Sequence, residues 1–334
     1  MSSSKSYTGG VDVVIPVFRP DKKFDSLMEM LGKQSVPVGN IFLMQTLSGN
    51  EELDNELTKK LLDLPKVIVT TLPKSAFDHG GTRNKGASLS DAEYLLFMTQ
   101  DAVPTDDKLI EKLLKALEDE TVASAYARQL AADRADELEQ FSRRFNYPEE
   151  GRVKSKEDLD ELGIKTYFCS NVCALYKHRI YDELGGFVRH TIFNEDSIMA
   201  ANTIDAGYKI AYVADATVVH SHRYTYRQQF SRNFDLAVSQ EQYKRIFSRV
   251  KSESEGIKLV RDTAVHLIKN DQWFMLPDLI CQSGFKYAGY LMGKKYRHFP
   301  RDVVKMMSMN KSYWDEKKHS TGKSDGDNDH SQEA

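Results

Sequence analysis

Five apolar, β-branched runs, each set off from the next by a stretch of helical periodicity, fill the first 130 residues and leave few ways to fold them. The runs are "VDVVIPVF" (11–18), "NIFLMQT" (40–46), "KVIVTTL" (66–72), "YLLFMTQ" (94–100) and "TVASAYAR" (121–128). Between them lie "FDSLMEMLGKQ", "NEELDNELTKKLLDL", "GGTRNKGASLSDA" and "DDKLIEKLLKALEDE". Strands that alternate with helices of about ten residues need crossovers and predict an α/β fold, a parallel sheet covered on both faces. Such sheets take their ligands at the carboxyl ends of the strands. Phe18–Arg19, Gln45–Thr46 and Thr99–Asp101 should therefore share one rim, with the loop "FDHGGTRN" (77–84) beside them.

The pattern dissolves into charge from about Arg128 to Lys165, a stretch that reads either as a lid over the site or as a solvated insertion with no role. Strand character returns in "YFCSNVCALYKH", and "NEDSIMAANTIDAGYKIAYVADATVVHSH" reads as helix, turn and strand. Helical periodicity then continues to about residue 310, before a polar tail expected to be disordered. The expected division is a flexible 1–9, an α/β unit 10–225, a helical region 226–317 and a tail 318–334. A net charge of −3 gives no drive toward nucleic acid. Three cysteines (Cys169, Cys173, Cys281) without a zinc spacing suit reduced thiols, and the polar opening "MSSSKSYTGG" has no signal-peptide core. A cytoplasmic protein that is not integral to a membrane is expected.

Four short stretches carry candidate chemistry. In "LLFMTQDAVP" the strand ends on Asp101, which is either a carboxylate for a hard divalent cation or a turn residue before Pro104. In "NEDSIMAA", Asn194 can cap a helix whose first turn holds Glu195 and Asp196; the same carboxylates could serve as a general base. In "ATVVHSHRYT", His220 and His222 stand at i and i+2, facing the site together or facing solvent together. In "FDHGGTRNKGA", two glycines at a helix start could let backbone N–H groups and Arg83 approach an anion, or could form a plain turn.

The order of these stretches resembles the family 2 glycosyltransferases with the nucleotide-diphospho-sugar (GT-A) fold, and more narrowly the bacterial rhamnosyltransferases of cell-wall polysaccharide and O-antigen synthesis. The likeness spans roughly residues 10–250, including "VVHSHRYTYRQQFSRNFD". It implies a GT-A domain with a C-terminal helical extension and an inverting, metal-dependent transfer of a sugar. Asp196 matches the catalytic base, and Asp101 matches the second acidic residue of the family's Asp-x-Asp, with Thr99 in place of the first. His220 matches the late metal ligand; Mg2+ or Mn2+ is the implied cation. The implied donor-binding set is Pro16, Phe18, Gln45, Thr46, Asp78, Arg83, Asn84, Thr99 and Gln100, with Glu195, His222 and Asn171 as further candidates. Gln45 or Thr46 stands where the family carries an acidic reader of the nucleobase, and Gln offers both donor and acceptor to a pyrimidine edge. The implied donor is dTDP-rhamnose, or another nucleotide sugar, and the implied acceptor a lipid-linked saccharide. The missing acidic residue at position 99 keeps open a degenerate domain that only binds saccharide or a partner.

The helical segment "GFKYAGYLMGKKYRHFPRDVVKMMSMNKSYW" interleaves aromatics with Lys286, Lys294, Lys295, Arg297 and Arg301. Such a face suits the headgroup layer of the inner leaflet of a bacterial plasma membrane, or else packs on the catalytic unit or a second subunit of an oligomer.

Overall fold

The computed structural model describes residues 6–250 and 253–316; the expected tail and most of the expected flexible N-terminus lie outside the described residues. The strands are β1 (Thr8–Val17), β2 (Ile41–Thr46), β3 (Val67–Leu72), β4 (Ala92–Met98), β5 (Val103–Pro104), β6 (Val122–Leu130), β7 (Arg152–Lys154), β8 (Cys173–Lys177) and β9 (Lys209–Val219). Helices of the first half are α1 (Lys22–Gly32), α2 (Glu51–Leu62), α3 (His79–Ala87), α4 (Leu109–Ala116), α5 (Glu137–Asn146), α6 (Leu159–Leu162) and α7 (His178–Glu183). Then come α8 (Glu195–Asp205), α9 (Tyr226–Gln242), α10 (Lys244–Phe247), α11 (Glu253–Lys269), α12 (Leu276–Lys294), α13 (Arg301–Met307) and α14 (Lys311–Glu316).

Strand order is β3-β2-β1-β4-β8-β6-β9-β5, with β7 against β9. The β3-β2-β1-β4 half is parallel, and so is β6 with β9. β8 enters antiparallel between β4 and β6. Alternate residues of the central strands feed two cores, as the two-residue period of a strand requires. Val13, Ile15, Leu96 and Met98 pack with α1 and α4 on one face. Val14, Leu95 and Phe97 pack with Tyr181, Phe187 and Ile204 on the other.

The helical extension is bound tightly to the rest. Gly289 and Gly293, one turn apart on α12, lie against the carbonyls of Phe230 and Phe234 on α9, where an added Cβ would approach to 2.2 and 2.4 Å. α9 in turn carries Phe234 and Val238 into a cluster with Ile192, Val304, Met307 and Trp314. Part of the apolar content of 285–314 is thus taken up in packing on α9, while Phe285, Tyr287, Leu291, Met306 and Met309 stay exposed. The charge-rich stretch also earns a place: α5 carries Leu138 into an apolar cluster with Leu267 of α11 and Leu279 of α12. Among the described residues no helix is long and apolar enough to cross a membrane.

Candidate active site

The two-residue strand β5 decides the geometry. Its Val103 pairs with Val219 at the end of β9, which sets Asp101, just before β5, against His220, just after β9. His222 Nε2 lies 2.9 Å and His220 Nε2 3.6 Å from the Asp101 carboxylate, and the two Nε2 atoms are 2.9 Å apart. One ligand atom from each residue falls within 4.8 Å of the others, an arrangement able to hold a single cation. Burial opposes ionisation of Asp101, but the His222 hydrogen bond and the two imidazoles overcome it and hold the carboxyl well below its usual range. Burial keeps His220 neutral against the pull of Asp101, lowering it to about 3.

A second layer orients His220. Gln129, near the end of β6, places Oε1 3.0 Å from His220 Nδ1, and Arg143 of α5 donates to the same oxygen at 2.6 Å. The Gln129 amide nitrogen donates to Tyr147 and, at 3.0 Å, to Ser170, so its flip state is set from both ends. With Oε1 fixed as acceptor, His220 carries its proton on Nδ1 and turns the Nε2 lone pair toward Asp101. Nothing in "VASAYARQL" marks Gln129 except a lone amide closing an apolar strand.

Across the same cavity, of about 1040 Å³, α8 presents the acidic pair. The expectation that Asn194 caps this helix is corrected. Asn194 is left-handed (φ 65°, ψ 21°), its side chain makes no capping bond, and its amide instead donates to the Leu236 carbonyl on α9 at 3.2 Å. Ser239 of α9 also binds the Phe193 carbonyl at 2.6 Å, so α9 holds the loop that aims α8. Glu195 is buried and paired with Arg83 at 3.2 Å. Against burial, Arg83 and His79 keep Glu195 ionised. Burial and the neighbouring Glu195 charge together push Asp196 up to about 7. The two carboxylates are driven apart in acidity, one held as an anion and the other poised near neutrality.

Of the expected residues, Thr99, Asp101, Asn171 and Arg83 line this cavity with Glu195, Asp196, His220 and His222. Local bonds engage several of the expected donor-binding side chains. Gln45 is fully buried, donates to the Asp54 carbonyl and accepts from Thr58. Asn84 binds the Phe187 backbone in both directions and accepts from Tyr181. Asp78 caps α3 through Gly81 N–H at 2.6 Å, which takes that N–H from any anion. Gln100 bolts β4 to β1, accepting from Phe18 N–H at 2.7 Å and donating to the Phe18 carbonyl at 3.0 Å. Pro16 and Thr46 also lie off the cavity, Thr46 buried, while the Phe18 ring remains open at 38% exposure. One guanidinium nitrogen of Arg83 holds both Glu195 and the His79 carbonyl, while its Nε finds no hydrogen-bond partner among the described residues.

The description "Glycosyl transferase family 2" matches residues 13–185, which run from the middle of β1 through α7 and include the Asp101 strand end. The chain belongs to this family. Among proteins it resembles, the O-antigen chain rhamnosyltransferase RfbN of Salmonella typhimurium (strain LT2) is 34% identical over 317 residues, covering 94% of this chain and 98% of that one. The O-antigen chain rhamnosyltransferase WbaN of Salmonella anatum is 40% identical over 259 residues, 76% of this chain and 81% of that one. Two solved structures share the fold at 14% identity. Mannosyltransferase PcManGT from Pyrobaculum calidifontis, in complex with GDP-Man and Mn2+, matches with a TM-score of 0.52 over 91% of this chain and 84% of that one. S. aureus TarS 1–349 with UDP-GlcNAc matches with a TM-score of 0.50 over 86% and 91%. The GT-A expectation therefore holds, with its C-terminal helices. This family 2 glycosyltransferase builds its cavity partly from residues that sequence reasoning missed: Gln129, Arg143, Arg232, and the polar face of α12.

Proposed function

We propose that this enzyme transfers L-rhamnose from dTDP-β-L-rhamnose to a hydroxyl of a lipid-linked saccharide in O-antigen chain assembly, with inversion. The names of the two Salmonella relatives support the sugar and the pathway class. The observation that carries the mechanism is Asp196, poised near neutrality on the cavity shared with Asp101, His220 and His222. In the transfer the acceptor oxygen bonds the anomeric carbon, its proton passes to Asp196, and the bond from that carbon to the diphosphate breaks. Glu195 is held by Arg83, so Asp196 acts alone as the base, which suits a single displacement.

The donor set fits a divalent cation, and two imidazoles beside one carboxylate suit Mn2+ better than Mg2+, which favours oxygen throughout. Bound there, the cation would supply charge to the departing diphosphate. Asp101, held ionised, gives that position its negative charge, and His220 is fixed for it by Gln129.

The test is release of nucleoside diphosphate from dTDP-rhamnose, GDP-mannose and UDP-GlcNAc, each with Mn2+ and with EDTA. Release from dTDP-rhamnose is expected. Turnover of another donor alone would overturn the rhamnose assignment and leave the transferase. Silence with every donor would favour a saccharide-binding module.

We also place the enzyme on the cytoplasmic membrane surface through a face other than the basic segment at 294–301. Trp273, Phe274 and Ile280 are 67%, 65% and 69% exposed at the α11–α12 turn and the start of α12, with Ile257 and Ile268 exposed on α11. Aromatics at such a tip suit the interfacial layer, and Lys258 and Lys269 of α11 suit anionic lipid. Replacing Trp273 and Phe274 together with Ser should leave the protein in the supernatant of an anionic-liposome sedimentation. Equal sedimentation of both proteins, or none by the unmodified one, refutes this placement.

A further inference from the structure

The cavity that holds the acidic pair is also lined by α12, through Asp278, Gln282 and Lys286. Steps of four residues put these on one face of the helix, and the rise per residue spreads them over about 12 Å. Ser142, Asp136 and Glu139, on α5 and at its start, line the same cavity. Charge chemistry alternates along the row. Asp278 accepts from Tyr226 at 2.5 Å and from Gln282 at 3.0 Å. One turn further, the partly buried Lys286 ammonium finds no hydrogen-bond or ion-pair partner among the described residues. Burial lowers its pKa, with Asp136 and Asp278 the acidic groups that oppose the shift. Lining the cavity without a protein partner, this ammonium is available to donate to a ligand. Tyr226, which lines the cavity, stacks on Phe285 with ring centroids 5.5 Å apart at 16°, adding a flat apolar surface beside the polar row.

We propose that this row is an acceptor subsite for an oligosaccharide longer than one ring, with Lys286 donating to its hydroxyls, Asp278 accepting from them and Gln282 doing both. A single sugar at the Asp196 end would leave the row empty; a chain of two or three rings would lie along α12. The inference rests on the transferase reading above. It makes the helical extension a determinant of acceptor length.

The probes are p-nitrophenyl glycosides of one, two and three hexoses, in mannose, galactose and rhamnose series, with the full chain, Mn2+ and the active donor. Acceptor kcat/KM of the unmodified enzyme should rise with the second or third ring. Lys286→Gln and Gln282→Ala should each erase most of that rise, raising KM for the longer probe about tenfold, the factor one hydrogen bond to a charged or amide group supplies. Donor KM, nucleotide release without acceptor, and the unfolding temperature should stay unchanged. Asp278 is left intact because it ties α12 to α9 through Tyr226. Length dependence that is absent in the unmodified enzyme, or that survives in both variants, overturns the subsite. Failure of every donor would instead remove the transferase reading. Saturation-transfer NMR with the trisaccharides then makes the same comparison without turnover: signal lost in Lys286→Gln supports the subsite, and equal signals overturn it.

Discussion

Asp196→Asn is expected to lower sugar transfer by about 10²–10⁴-fold while leaving donor affinity nearly unchanged, because it removes the proton acceptor and keeps the shape. On the proposed mechanism the carboxylate form of Asp196 is the active one, and burial with the Glu195 charge raises that group to about 7. The rate should therefore climb tenfold per pH unit below about pH 7 and level off above it, and the limb should vanish in the variant. Retention of more than half the activity would return Asp196 to a helix-end role.

The same substitution should stabilise the protein, which a capping residue would not do. In the unfolded chain this carboxyl ionises near its ordinary value of 3.8, whereas in the fold it stays protonated to about 7. Between those values the unfolded state binds fewer protons, so stability falls as pH rises through that window and the loss is complete above it. Asparagine has no charge to bury. Its gain should be absent at pH 3 and on the order of 1–3 kcal/mol at pH 8, a part of the ~1.4 kcal/mol per pH unit that the full gap allows. Chemical denaturation at the two pH values measures it. A variant less stable at pH 8 would contradict the burial argument.

What the sequence shows readily is what local period carries. The alternation of apolar runs and helices predicts β1 to β4 and β6 with the helices between them, and the carboxyl-end rule puts Asp101 on the rim that lines the cavity. Pairing across long separations is not written locally. β5 is two residues long, yet its match to Val219 is what brings Asp101 to His220 and His222. β8 reads as a strand, but its antiparallel entry between β4 and β6 depends on both neighbours. The partners of the donor-side polar residues are likewise not written locally. An amide such as Gln45 or Asn84 looks available in sequence, and only the fold reveals a backbone or hydroxyl partner that takes its capacity. Lys286 is the converse case, a cation that reads as part of a basic, aromatic surface but lines the cavity.

Removing Asp101 should abolish tight Mn2+ binding, since it contributes the only carboxylate of the Asp101–His220–His222 cluster. Asp101→Ala should weaken Mn2+ beyond the ~10–100-fold typical of losing a supporting partner, and Gln129→Leu should fall within that range by freeing the His220 tautomer. Paramagnetic resonance of free Mn2+ reads both without turnover. Donor affinity should drop in parallel for Asp101→Ala, because the diphosphate loses its counter-cation. Mg2+ should compete poorly with Mn2+ at the unmodified site, where two of three ligands are imidazoles. Gln129→Glu keeps an oxygen opposite His220 Nδ1 and the attraction of Arg143, and should retain most of the affinity that Gln129→Leu loses. Unchanged Mn2+ affinity in Asp101→Ala, or full transfer activity of the unmodified enzyme in excess EDTA, would remove the cation from this site and leave the two histidines as partners of a lone carboxylate.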